Sequence, residues 1–165
     1  MSYYFNADEI FEIAEQIEKN GESFYDAASE GATDPKVASL CKELAGWEKV
    51  HVEIFAALRR ALPEAARQGS AFDPDDEISA YVKSAADSHV FVKNKDPRAL
   101  ARACRDGRDI LEVALTFEKD SVVFYTAMQR IVPKEEGQEK IGGLVEEELK
   151  HIRILSDHLA ALGAK

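Results

Sequence analysis

Thiols are scarce in this chain: Cys41 and Cys104 are its two cysteines, far apart and not in a Cys-x-x-Cys arrangement. That excludes a disulfide framework, and both read as small, buried helix residues. Long apolar runs are also missing, since no stretch approaches the ~18 uninterrupted apolar residues of a membrane helix. The opening MSYYFNADEIF lacks the basic start and apolar stretch of a secretory signal, so the expected location is the cytoplasm. Positive charge is in deficit, with 21 Lys and Arg against 31 Asp and Glu and a formal net charge of −10. Nucleic-acid binding needs a basic face and is therefore not expected. Strand signals are absent too: glycine, proline and apolar periodicity all indicate an all-α protein. At 165 residues, with 45% hydrophobic and 32% charged residues, the chain suits one soluble domain spanning 1–165.

Histidine is rare, with four in all, and two of the four sit in a repeat. Glu18, Glu48 and His51 reappear 100 positions later as Glu118, Glu148 and His151. Around Glu18 the chain reads IAEQIEKNGESFYDAA, and around Glu118 it reads VALTFEKDSVVFYTAM; both have Glu-Lys, four residues, then Phe-Tyr. LAGWEKVHVEIFAAL and LVEEELKHIRILSDHL share Glu-x-x-His with an apolar residue four beyond, Phe55 or Leu155. With only two copies this is a duplicated helix pair and not a solenoid.

Capping and breaking signals divide the chain into helices. Asn6 and Glu9 make a capping box before an apolar series through Ile10, Ile13, Ile17 and Phe24, so a helix is expected over about 7–30. Asp34-Pro35 restarts the chain into a second helix that runs to about Leu62, with Val37, Leu40, Leu44, Trp47, Phe55 and Leu58 on its apolar face. A polar connection with Pro63, Gly69 and Pro74 leads to a short helical pattern from Asp76 to about Phe91. Asp96-Pro97 repeats the start signal, with an interruption near Asp106-Gly107. The third main helix covers about 108–131 and the fourth about 139–162. Two helix pairs joined by a long crossover, about 63–95, make the ferritin-like version of a four-helix bundle.

Positions three and four apart share a helix face, so Glu48 with His51, and Glu148 with His151, can each point at one metal. Glu18 and Glu118 come from the other two helices. One glutamate from each of two helices plus Glu-x-x-His from each of the other two is the ligand pattern of a dinuclear carboxylate site. Glu48 and Glu148 are the natural bridges, Glu18 and Glu118 the terminal carboxylates, and His51 and His151 the cap of one metal each. Four carboxylates offset two divalent cations, and mixed carboxylate and imidazole ligands suit iron or manganese, with zinc also able to fill such a site. Ala14 and Gly21 beside Glu18, and Ala114 and Ser121 beside Glu118, leave space for ions.

These motifs resemble the ferritin-like superfamily and, within it, the rubrerythrin-type di-iron domain. The resemblance rests on Glu18-Lys19 with Phe24-Tyr25, Glu48-x-x-His51, Glu118-Lys119 with Phe124-Tyr125, and Glu148-x-x-His151, and it covers nearly the whole chain outside 63–95. It implies a non-haem pair of irons that reacts with peroxide or dioxygen, by oxidation of Fe(II) or reduction of peroxide, with a separate protein as electron donor. The chain departs from rubrerythrin in having no Cys-x-x-Cys pair, hence no rubredoxin domain, and in carrying Ser121 where rubrerythrin has an extra glutamate. The four-Glu, two-His set is closer to that of bacterioferritin, yet Lys49 stands where a haem-binding methionine is expected, so no haem is expected. The alternatives are an iron-handling ferroxidase or storage module, and a helical interaction protein braced by a metal without turnover. The long crossover favours a homodimer.

Other polar residues near the motifs have plainer readings. Tyr25 and Tyr125 are either hydrogen-bond donors to ligand carboxylates or core aromatics. Trp47 is expected in the core, His158 as a capping or core residue, and His89 as exposed in the connection. Glu53, Glu146 and Glu147 are expected on the surface off the ligand face. Glu22 has Val122 as its counterpart, which argues against a ligand role.

Overall fold

In a computed structural model, residues 6–68, 77–89 and 96–163 of the chain are described. The order is α1 (Ala7–Gly31), α2 (Pro35–Ala61), α3 (Glu64–Gln68), α4 (Glu77–Ser88), α5 (Pro97–Ala103), α6 (Gly107–Ile131), a single 3-10 turn (Lys134–Glu136) and α7 (Gln138–Gly163). There is no strand among the described residues, and no helix among them is long and apolar enough to cross a membrane. The expected signals at Gly69, Pro74 and Asp76, and the expected helix end at Phe91, fall outside the described residues.

The helix starts are where capping chemistry puts them. Asn6 Oδ1 accepts from the Glu9 amide at 2.9 Å, and the Asn6 amide donates back to Glu9 Oε2 at 3.1 Å. Asp34, Asp96 and Asp106 cap α2, α5 and α6, accepting from the amides of Lys36, Ala99 and Asp109. Pro35 and Pro97 occupy first-turn positions whose amides would have had no helical partner. The break expected near Asp106-Gly107 is the loop between α5 and α6. The five-residue helix α3 lies within what reads in sequence as a polar connection; it is too short to carry an apolar period.

α1 packs along α2 and α6 along α7, while α1–α6 and α2–α7 approach each other more sparsely. Of the crossover elements, α4 lies on α6 and α5 on α1. Ile10, Phe11, Ile17, Phe24, Leu44, Phe55, Leu111, Phe117 and Phe124 are fully buried between the hairpins. Each such side chain contributes roughly 1.5–3 kcal/mol by leaving water. Cys41 is buried as expected, but Cys104 is only half-buried, near the end of α5 where the helix leaves the core.

Candidate metal centre

Buried carboxylates are the feature of this bundle that apolar packing does not explain. Glu18, Glu48, Glu118 and Glu148 have no exposed surface, and His51 and His151 are almost as deeply buried. Each comes from a different turn of a main helix: Glu18 from α1, Glu48 and His51 from α2, Glu118 from α6, Glu148 and His151 from α7. All six meet between the hairpins.

Their potential ligand atoms fall into two overlapping groups, Glu18–Glu48–His51–Glu148 and Glu48–Glu118–Glu148–His151, each with its atoms within 4.8 Å of one another. Glu48 and Glu148 belong to both groups, which is the placement of bridging carboxylates. Both histidines turn Nδ1 inward. His51 Nδ1 lies 3.5 Å from Glu18 Oε2 and 3.0 Å from Glu148 Oε1. His151 Nδ1 lies 2.9 Å from Glu148 Oε2, 3.6 Å from Glu118 Oε2 and 3.9 Å from Glu48 Oε1. The two imidazoles stack with centroids 5.7 Å apart and planes 17° apart.

Glu18 Oε2, both oxygens of Glu48, Glu118 Oε2, Glu148 Oε1 and His51 Nδ1 have no hydrogen-bond partner among the described residues. The short His51–Glu148 approach is close in distance but not aligned as a hydrogen bond. Buried lone pairs without donors are costly, and a cluster of four carboxylates without cations more so. Two divalent cations would neutralise the charge and occupy those lone pairs. The donor set of oxygen and imidazole nitrogen fits iron or manganese.

The electrostatics record the same strain. Burial, then the charges of Glu18 and Glu118, hold the Glu48 carboxyl well above the ordinary carboxylate range. Burial and the Glu148 charge raise that of Glu118. Glu148 is also opposed by burial, but the hydrogen bond from His151 and the nearby His51 imidazole outweigh it and hold its carboxyl low. Burial disfavours both imidazolium forms, yet the surrounding carboxylates prevail: Glu148 and Glu18 lift His51 to about 11, and Glu118 and Glu148 lift His151 to about 9. Without metal, protons do part of the work that cations would do.

The tyrosines cross the bundle. Tyr25 on α1 donates its hydroxyl to Glu118 Oε1 on α6 at 2.5 Å, and Tyr125 on α6 donates to Glu18 Oε1 on α1. Each half thus holds a buried glutamate of the other by a hydrogen bond, so the two core tyrosines also act as donors to carboxylates of the cluster. Burial and the neighbouring carboxylates raise both phenols, so they remain donors.

Two expectations fail here, and a third residue does more than its surface position suggests. Trp47 is not core: it is 36% exposed, with its indole stacked on His151 at 4.8 Å and 9°. The His151 ring covers one face of the indole, while the rest of the side chain stays partly open to solvent. His89 is not exposed but fully buried, with Nε2 3.2 Å from Ser121 Oγ and its ring against Phe117. Burial lowers it to about 4 and keeps it neutral. Packing of the crossover on α6 puts it there, and nothing local in the sequence signals that packing. Glu147 is half-exposed, as a surface residue should be, yet His51 Nε2–H donates to its Oε2 at 2.9 Å. The available signal was spacing, since Glu147 lies four before His151 and shares its face. Glu53, Glu146 and Glu22 stay outside the cluster, and His158 Nδ1 bonds the Ile154 carbonyl of its own helix.

No protein-family model and no curated relative matches the sequence. Among solved structures, the chain is similar to a crystal structure from Thermotoga maritima described as that of a candidate ferritin-like diiron-carboxylate protein. The TM-score is 0.68 at 22% identity, over 97% of this chain and 98% of that one. The fold is ferritin-like. Among the described residues, the four main helices have this arrangement.

Proposed function

We propose that this ferritin-like chain is a non-haem di-iron protein that oxidises Fe(II) or reduces peroxide. The observation that carries the reading is the buried set of unpartnered carboxylate oxygens, shared between two overlapping three-Glu, one-His groups. The resemblance to the rubrerythrin-type domain, and the diiron-carboxylate description of the similar structure, point the same way. Glu18 and His51 would hold one ion, Glu118 and His151 the other, with Glu48 and Glu148 between them. When bound, a ferrous pair supplies the two electrons that, with two protons, take peroxide to water.

The chain's own residues contribute orientation and exclusion. Tyr25 and Tyr125 hold Glu118 and Glu18 at fixed rotamers, leaving one oxygen of each directed at the cluster. The carboxylates share a fully buried interior with Phe24, Phe117 and Phe124, so charge effects at the site are little screened. A surface groove between α2 and α7, lined by Val50, Ile54, Leu144 and Glu147, runs up to the residue that bonds His51. A small oxidant needs no larger approach.

The test is anaerobic reconstitution with Fe(II), a count of bound iron, and then addition of peroxide or dioxygen while oxo-bridge absorbance is followed. Two irons per chain and fast oxidation, both lost in Glu48→Ala, are expected. A stoichiometric ion inert to both oxidants would leave a metal brace without turnover, and no bound iron would overturn the reading.

A further inference from the structure

The duplication is broken at one place that matters. Position 47 corresponds to position 147, each immediately before a bridging glutamate and four residues before a histidine. Both residues reach across to the histidine of the other half, but with opposite chemistry. Glu147 accepts a hydrogen bond from His51 Nε2 at 2.9 Å. Trp47 lays its ring flat on His151, centroids 4.8 Å apart. A stacked indole cannot accept an in-plane N–H, and among the described residues His151 Nε2 has no hydrogen-bond partner.

A carboxylate on the outer nitrogen of a metal-facing imidazole does two things. It fixes the tautomer, placing the proton on Nε2 and the lone pair on Nδ1, and it makes that lone pair a stronger donor. His51 has both from Glu147, whereas among the described residues no carboxylate stands on the outer nitrogen of His151. The remaining ligands are matched between the halves: one terminal glutamate crossed by a tyrosine, and two shared bridges. At the outer nitrogens of the two histidines, the halves differ through this pair of residues.

We propose that Glu147 is a positioning residue that makes the two metal positions unequal, so that the position held by Glu18 and His51 fills first and more tightly than that held by Glu118 and His151. This rests on the dinuclear reading of the site. Removing a carboxylate of this kind weakens metal binding about 10–100-fold in comparable sites, so the two steps should be separated by a factor of that order. Glu147 is half-exposed, so its replacement leaves the core intact.

The probe is Mn(II), titrated into the metal-free full chain at pH 7 with free ion counted by electron paramagnetic resonance. The wild type should bind two ions in two resolved steps. His151→Ala should keep the tight step and His51→Ala should lose it. Glu147→Ala should weaken the first step about 10–100-fold and merge it with the second, while Glu147→Gln, which keeps an acceptor oxygen without the charge, should fall between. Apo melting temperatures of the Glu147 variants should match the wild type, separating a ligand effect from a folding one. Two equal steps in the wild type, or two steps unchanged in Glu147→Ala, overturn this inference and leave the dinuclear reading standing. No Mn(II) binding overturns both.

Discussion

Tyr25 and Tyr125 each spend a buried hydroxyl on a carboxylate from the opposite hairpin. If either becomes phenylalanine, Glu118 Oε1 or Glu18 Oε1 is left buried without a donor, at a cost of roughly 1–3 kcal/mol. Tyr125→Phe should lower the unfolding free energy of the metal-free protein by about that much in urea titrations, and Tyr25→Phe should do the same. A change of only a few tenths would mean that the crossed bonds contribute little to stability. At this scale the six clustered residues were legible in sequence, because histidine is rare and its spacing to glutamate recurs in both halves. Glu147 and Trp47 were not, since each acts on a histidine of a different helix. Their exposure reads as ordinary surface for a glutamate and as an exception for a tryptophan. His89 was illegible for the same reason, its burial being a property of the crossover's packing and not of its neighbours in sequence.

Between elements, a close approach beside the cluster is made at Gly21 of α1. A Cβ there would lie 2.6 Å from Phe117 Cζ on α6 and 3.1 Å from Glu48 Oε2 on α2. The ring is packed on all sides, so Gly21→Ala must push α6 or the carboxylate aside, and an overpacking cost of about 1–3 kcal/mol is expected. Gly46 is the contrasting case, in the middle of exposed α2 surface with nothing within 4 Å of a Cβ. Gly46→Ala should instead stabilise by about 0.5–1 kcal/mol through helix propensity. Thermal melts of both variants check the pair of opposite signs, and equal shifts would refute the packing argument. The helices themselves were readable almost to the residue, because Asp-Pro and Asn-x-x-Glu satisfy amides that any helix start leaves open. α3 escaped because a five-residue helix has neither a period nor a cap strong enough to stand out.

For the whole molecule, the buried cluster ties stability to pH. An unfolded histidine titrates near 6.5, whereas His51 is lifted to about 11 and His151 to about 9. Their contribution is complete below about pH 6.5, fades as pH climbs, and is gone above the folded values. The raised carboxyls of Glu48 and Glu118 favour the fold only in acid, so their contribution also shrinks as pH rises. Glu148, held low, acts in the other direction, losing its contribution as pH falls below the unfolded carboxylate value. The metal-free protein should therefore melt at progressively lower temperature from about pH 6.5 to about pH 9.5. Metal binding must expel the same protons, so affinity rises over that window. At a free metal concentration about 100 times Kd, the ion adds about 2.7 kcal/mol. Calorimetric scans with and without Mn(II) should diverge as pH increases; parallel curves would show that the cluster's protons and the metal do not compete.

The mismatch of Trp47 and Glu147 has a bearing on why two hairpins share one chain. A bundle assembled from two copies of a single-hairpin protein would carry the same residue at both places, and every change beside one histidine would be imposed on the other. Joining the halves through the crossover gives each its own address in the gene. One half can then be altered while its twin is kept, and under the proposed reading a pair of metals that symmetry would make interchangeable would acquire a first and a second member.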